Sequence, residues 1–227
     1  MKFFRDKLYE DITIPAPPKD DIGEAAEVKR LITNRTAVQD KSIADHDEVP
    51  FYAIKKYCED NKMIFHKDEF KDVIYQATDT INYFKDKYNR KRPIEIDKTL
   101  NISPSKTNKT PSYPSGHATQ SRLVARYVAG KFPEHEANLI EAGNECGYGR
   151  VLAGFHYPSD YEAGNLLGDK MYELMDKSDY IKEMKTFRTF RESIIDIPRS
   201  TYAPGVFDDA DTNNPKIKSS VLSMIDK

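Results

Sequence analysis

No stretch of this sequence approaches the run of about 18 apolar residues that a membrane-spanning helix requires, so such a helix is excluded on length alone. The opening, MKFFRDKLYEDITIPAPP, carries charges at Arg5, Asp6, Lys7, Glu10 and Asp11 and lacks the apolar core of a secretory signal. The expectation is a soluble protein, cytoplasmic for want of a signal and periplasmic only if one has been trimmed. Cysteine is scarce: Cys58 and Cys146 stand far apart, outside any CxxC or metal-ligand spacing, and are expected as buried free thiols. Sequons at Asn34, Asn101 and Asn108 matter only on a eukaryotic secretory route and are treated as chance. An excess of charge is missing too. Lys plus Arg number 35 against 37 Asp plus Glu, a net of -2, which gives no electrostatic reason to expect nucleic acid or an anionic membrane as partner.

Alternation of apolar and polar residues, the mark of a half-buried strand, is absent, as are internal repeats and low-complexity segments. What is present is helical spacing. Between 67 and 89, Phe70, Val73, Ile74, Ala77, Ile81, Phe84 and Tyr88 recur at three- and four-residue intervals and form one stripe. Further helices are expected over 20–34, 50–59, 115–131, 133–151, 159–175 and 180–192, with Pro50 and Pro133 in first turns. Irregular structure is expected in an N-terminal arm (1–18), in the Pro-, Ser- and Thr-rich stretch 91–113, and in the tail 196–227. The fold class that follows is all-α, a single-domain helical bundle over residues 1–227, a length that suits one full core.

Three short patterns stand in order along the chain. KDKYNRKRP places Lys85 and Arg92 six residues apart in the intervening count, with Pro93 next; PSGH carries Ser115, Gly116 and His117; GRVLAGFHYPSD carries Arg150, His156 and Asp160. Each alone has a plain explanation: basic residues complement a helix C-terminus, Ser115 is a helix N-cap, and His156 with Asp160 is a pair one turn apart. Together they describe chemistry. A phosphoryl group in transfer spreads negative charge over its oxygens, and Lys85, Arg92 and Arg150 supply three cations for it, two of them able to bind bidentately. Ser115 and Gly116 open a helix, where N–H groups without intrahelical partners bind anions. An imidazole can attack phosphorus, and a carboxylate on its other nitrogen fixes its tautomer, a task that fits His156 with Asp160. A second histidine, His117, fits the general acid that protonates the leaving oxygen. Spacing alone does not say which histidine is the nucleophile.

The ordered motifs resemble those of the type 2 phosphatidic acid phosphatase superfamily, which includes bacterial nonspecific acid phosphatases, lipid phosphatases and vanadium-dependent haloperoxidases. The resemblance runs from Lys85 to Asp160, about a third of the chain. It implies a helical-bundle fold and phosphate-binding or catalytic roles for Lys85, Arg92, Ser115, Gly116, His117, Arg150, His156 and Asp160, with His156 as nucleophile. The expected activity is metal-independent hydrolysis of small phosphorylated substrates through a phosphohistidine, with no cofactor and with vanadate as inhibitor; self-association is left open. Two alternatives stand beside it: a lipid phosphate or diphosphate phosphatase, and a haloperoxidase with vanadate as cofactor, which the short chain disfavours. A non-catalytic phosphate-binding protein would need the cations but not two histidines and an aspartate. One departure is Gly149, where the family usually has serine, from which altered efficiency is expected. His46, in ADHDE, is read as unsuited to a metal because neighbours on a helix face different ways, and His66 and His135 as solvated. Tyr52, Tyr57, Phe70, Phe84 and Tyr88 are read as core.

Overall fold

Helical periodicity is what the backbone follows. The computed structural model describes residues 2–63 and 67–177, all within one compact unit; the expected helix at 180–192, the tail 196–227 and His66 lie outside the described residues. Among these the fold is all-α, without strands. The α-helices are α1 (Asp21–Thr33), α2 (Ala37–Asp47), α3 (Tyr52–Asp60), α4 (Lys67–Tyr88), α5 (Pro93–Ile96), α6 (Gly116–Lys131), α7 (Glu136–Leu152) and α8 (Pro158–Glu173). No helix among the described residues is long and apolar enough to cross a membrane.

Helices α1, α2, α6 and α8 begin where a side chain satisfies free N–H groups. Asp20 accepts from Gly23 N at 2.9 Å to open α1. Thr36 and Gln39 exchange bonds of 2.8 and 3.3 Å at the start of α2. Ser115 caps α6 and Asp160 accepts from Tyr157 N at 3.0 Å to begin α8. The stripe of α4 buries Phe70, Val73, Ala77, Ile81 and Phe84, each large side chain contributing roughly 1.5–3 kcal/mol by leaving water.

Three expectations are corrected. α2 was not foreseen, α5 interrupts the stretch read as irregular, and the N-terminal arm contains a 3-10 turn (Leu8–Asp11) and buries Phe3, Phe4, Leu8, Ile12 and Ile14. The arm is also fastened by polar bonds: Tyr88 Oη donates to Ile14 O at 3.0 Å and Tyr113 Oη to Pro15 O at 2.6 Å. Cys58 and Cys146 are buried free thiols, as expected.

α6 is the central helix, packed chiefly by α7 and α8 and buried on nearly every side. Such close approach needs small residues. A Cβ on Gly164 of α8 would lie 2.6 Å from Ser115 O and 2.8 Å from Ala118 Cβ, whereas one on Gly149 of α7 would meet only Ile43 Cγ1 at 3.7 Å.

These two glycines yield opposite expectations in urea unfolding. Gly149→Ala should stabilise by up to about 1 kcal/mol through helix propensity. Gly164→Ala gains the same propensity but pushes on backbone that cannot step aside, and overpacking of about 1–3 kcal/mol should leave it less stable than the parent. Equal shifts in the two variants would mean that α8 does not sit on α6 as described.

Candidate functional site

Three chain segments that are far apart in sequence deliver the motif residues to one place. Lys85 projects from the last turn of α4, which ends at Asn89 in a left-handed conformation (φ 42°) that asparagine tolerates. Arg92 then precedes Pro93, the first residue of α5, and its N–H donates to Glu95 at 2.7 Å. Gly116 and His117 form the first turn of α6, Arg150 lies in the last turn of α7, and His156 stands in the turn before α8, which supplies Asp160.

His156 is the centre. It is 3 % exposed, and its Nδ1 faces Asp160 Oδ2 at 3.2 Å and Ser112 Oγ at 3.4 Å. The Ser112 hydroxyl donates to the same Oδ2 at 2.5 Å, and Arg90 Nη1 donates to Oδ1 at 2.7 Å. A carboxylate with these donors can take only a proton-bearing nitrogen as its next neighbour, so the imidazole proton belongs on Nδ1. Nε2 is left with its lone pair, 3.5 Å from Arg92 Nη1.

Cations crowd the imidazole, with Arg92 at Nε2. Lys85 and Arg92 are 5 % and 6 % exposed. Lys85 Nζ donates to Pro111 O at 2.6 Å, and Arg92 donates to Thr110 O at 2.7 Å and Phe155 O at 2.8 Å. Carbonyls are weak counterparts for charge. Burial, then the neighbouring Arg92, push the Lys85 ammonium down to about 7, and burial pushes Arg92 down to about 10. His156 is held well below the usual imidazole range by burial and by Arg92, Lys85, Arg150 and His117, which shows that the motif cations reach it.

Arg150 differs because a carboxylate already touches it. Its Nη1 donates to Asp47 Oδ1 at 2.7 Å and its Nη2 to Thr107 Oγ1 at 2.9 Å, while the guanidinium stacks 4.4 Å from the Phe155 ring. Burial raises the Asp47 pKa, but hydrogen bonds from Ser105 and Arg150 outweigh it and hold the carboxyl down to about 2. The Arg150 Nε–H is buried without a hydrogen-bond partner, a donor suited to an oxyanion. His117 is half-buried, and its Nε2 donates to Asp47 O at 3.0 Å. Burial and Arg150 push it down to about 3, so it is neutral near pH 7 in the absence of an anion.

All eight motif residues therefore stand in one neighbourhood, with one difference of role. Ser115 Oγ caps Ala118 N and its own N–H donates to Asp160 O at 2.9 Å, leaving the N–H groups of Gly116 and His117 as the helix-end donors. Residues that sequence reasoning missed are Arg90, Ser112 and Asp47, and beyond them Glu24. The Cβ direction of Gly149 leads to Ile43 of α2. A groove of about 700 Å³ between α2, α3 and α7 contains none of the eight. It is lined by Tyr52 and Tyr57, which corrects their reading as core; Phe70 and Phe84 are core.

The other two described histidines, His46 and His135, are structural. His46 is 2 % exposed, with Nδ1 donating to Ser42 O at 2.8 Å and Nε2 accepting from Ala53 N at 3.2 Å. It caps α3 from α2, and among the described residues no cluster of His, Cys, Asp and Glu could hold a metal. His135 is half-buried and 2.8 Å from Tyr57 Oη, which corrects its reading as solvated.

With this geometry in place, comparison with known proteins is direct. Residues 73–169 match the PAP2 superfamily. An acid phosphatase of Zymomonas mobilis is 32 % identical over 114 residues, covering 48 % of this chain and 43 % of that protein. A non-specific acid phosphatase of Salmonella typhi is 37 % identical over 84 residues, 36 % of this chain and 34 % of that one. The chain thus spans less than half the length of these curated relatives. A crystal structure of a transmembrane PAP2 type phosphatidylglycerolphosphate phosphatase from Bacillus subtilis aligns over 80 % of this chain and 90 % of that one, at 17 % identity and a TM-score of 0.48. The segment that matches the PAP2 superfamily contains all eight motif residues, so the similarity rests on the same residues that the fold brings together.

Proposed function

We propose that this protein hydrolyses phosphomonoesters through a covalent phosphohistidine on His156. The observation that carries the reading is geometric: Lys85 and Arg92 are buried with carbonyl partners beside His156, and burial first, then the neighbouring charges, depresses the pKa values of Lys85, His117 and His156. Such a site is complementary to a dianion held against a nucleophile. The Nε2 lone pair attacks phosphorus, the P–O bond to the leaving group breaks, and Asp160 stabilises the imidazolium-like product through Nδ1–H. His117 gives its proton to the leaving oxygen. Water then attacks the phosphohistidine, His117 takes a proton from it, and the P–N bond breaks to return the lone pair to Nε2 and release phosphate.

A neutral His117 cannot act as the acid, and the substrate resolves this. Burial and then Arg150 and Lys85 depress His117; a bound dianion offsets the two charges and attracts a proton itself, so the proton is recruited with the phosphate. The same positive surroundings repel a divalent cation, which is why the reaction is proposed to need no metal and to be inhibited by vanadate, a mimic of the transferring phosphoryl group.

Phosphate release from p-nitrophenyl phosphate tests the function. Activity should persist in EDTA, be blocked by vanadate, and fall by at least about 10³-fold in His156→Ala, together with loss of acid-labile, base-stable label. Restoration by a divalent ion after EDTA, or label that survives His156→Ala, would sink the mechanism.

Proton recruitment has its own test, independent of turnover. Sulfate is a dianion across the range used, so pH-dependent binding reports protein groups. His117 is neutral above its free pKa of about 3 and charged once the dianion raises that value. Sulfate affinity should therefore increase as pH falls from 7 to 5, by about tenfold per unit where one proton is taken up. Lys85, at about 7, contributes at the upper end of this range, so His117→Ala should flatten the slope chiefly between pH 6 and 5. A Kd that does not vary with pH in the parent protein would contradict proton recruitment.

A further inference from the structure

Arg90 sits between the end of α4 and Arg92, in a position where sequence reading sees one more charge in a basic run. It is 5 % exposed, and its guanidinium is engaged at every nitrogen. Nη1 donates to Asp160 Oδ1 and to Ser159 Oγ, both at 2.7 Å; Nε donates to Asp21 Oδ1 at 2.9 Å and Nη2 to Glu24 Oε2 at 2.5 Å. The plane lies 3.9 Å from the Tyr157 ring centre. Asp21 and Glu24 belong to α1, so the far side of the guanidinium is anchored on a helix that contributes nothing else to the site described above.

Asp160 itself is fully buried, and burial favours its neutral form. The charged or titratable groups facing it are Arg90, Lys85, Arg92, His156, Tyr113 and Tyr157. The two phenols have raised pKa values and stay neutral. Lys85 is half-titrated at about 7 and acts on Asp160 only through space, and Arg92 spends its hydrogen bonds on carbonyls. Arg90 is the cation in direct contact, and its pKa is raised by Asp160, Glu24 and Asp21 despite burial, so its charge is permanent.

We infer that Arg90, anchored by Asp21 and Glu24, is a positioning residue that keeps Asp160 ionised and thereby holds the His156 proton on Nδ1, leaving Nε2 free to attack. If Asp160 were neutral, its carboxyl proton could be offered to Nδ1 and the lone pair would be on the wrong nitrogen. The kinetic half of this inference rests on the phosphohistidine reading above; the tautomer half does not.

Arg90→Gln is the test. It should lower kcat by about 10- to 100-fold, the usual effect of losing a group that orients a catalytic one, while sulfate affinity changes less than about threefold because Lys85, Arg92 and Arg150 are untouched. The acidic limb of the kcat profile should move to higher pH, since Asp160 then takes up a proton more readily, and Arg90→Lys should restore the limb but only part of kcat. Nitrogen NMR of histidine-labelled protein should show His156 as the Nδ1–H tautomer in the parent and as a mixture in Arg90→Gln, with Asp160→Asn as reference. A folded Arg90→Gln protein that keeps both the parent tautomer and the parent acidic limb would overturn the inference. A parent protein that releases no phosphate would overturn the phosphatase reading instead, and the NMR comparison would still decide this one. Should Arg90→Gln fail to fold, the double change Asp21→Asn with Glu24→Gln removes the outer anchors alone. It should lower kcat by about 3- to 10-fold at unchanged sulfate affinity, and an unchanged kcat would count against the role of Arg90.

Discussion

A single buried carboxylate ties the site to the scaffold. Asp160 receives Arg90 from the segment after α4, Ser112 from the loop before α6, the Tyr157 N–H at the start of α8, and the imidazole of His156. Left alone at zero exposure, an ionised carboxylate would be unfavourable by several kcal/mol. Charge-assisted hydrogen bonds contribute about 1.5–3 kcal/mol each, and four of them turn that penalty into a junction that holds only when every partner is in place. Its own backbone carbonyl accepts from Ser115 N, so the start of α6 is fixed by the same residue. The geometry around His156 and helix packing are thus one constraint, and α8 meets α6 through Gly164 at the level of Ser115 O because anything larger would separate them.

The cations obey a different logic. Lys85 and Arg92 are buried with carbonyl partners in place of carboxylates, an arrangement that a protein selected for stability alone would avoid. Their unfavourable placement is compensated elsewhere, by the stripe of α4 and by an N-terminal arm that buries five apolar side chains. The arm needs no helix for this. Its carbonyls Ile14 O and Pro15 O accept from the hydroxyls of Tyr88 and Tyr113, residues on either side of Arg92 in sequence.

Much of this was legible in the sequence, and the misses have physical reasons. α4 and α6 carry apolar spacing that only a helix explains, so their existence followed directly. α2 buries just Ile43 and His46, which makes no stripe; its signal is the Thr36–Gln39 capping box, a four-residue pattern that does not mark a helix without periodicity behind it. The site residues were legible because chemistry requires their spacing within each motif. Asp47 and Glu24 were not, since they reach Arg150 and Arg90 across 103 and 66 positions and no local pattern marks that pairing. Arg90 was hidden differently. It lies inside the first motif, but a basic residue in NRKRP looks the same whether it is solvated or pinned between two carboxylates and a third.

The distribution of compensation around His156 gives the site a direction. Behind the ring, on the Nδ1 side, every charge has a partner: Asp160 with Arg90, and Arg90 with Asp21 and Glu24. To one flank, Arg150 is already matched by Asp47, whose carbonyl also occupies His117 Nε2–H. In front, on the Nε2 side, Lys85 and Arg92 have only carbonyls. An anion would gain most where compensation is least, at the unbalanced pair, and Arg150 would still offer it the Nε–H that Asp47 leaves unpaired. Orientation of the bound group then follows from the field before any close contact forms, because one nitrogen of the ring faces paired charge and the other faces charge that lacks a partner.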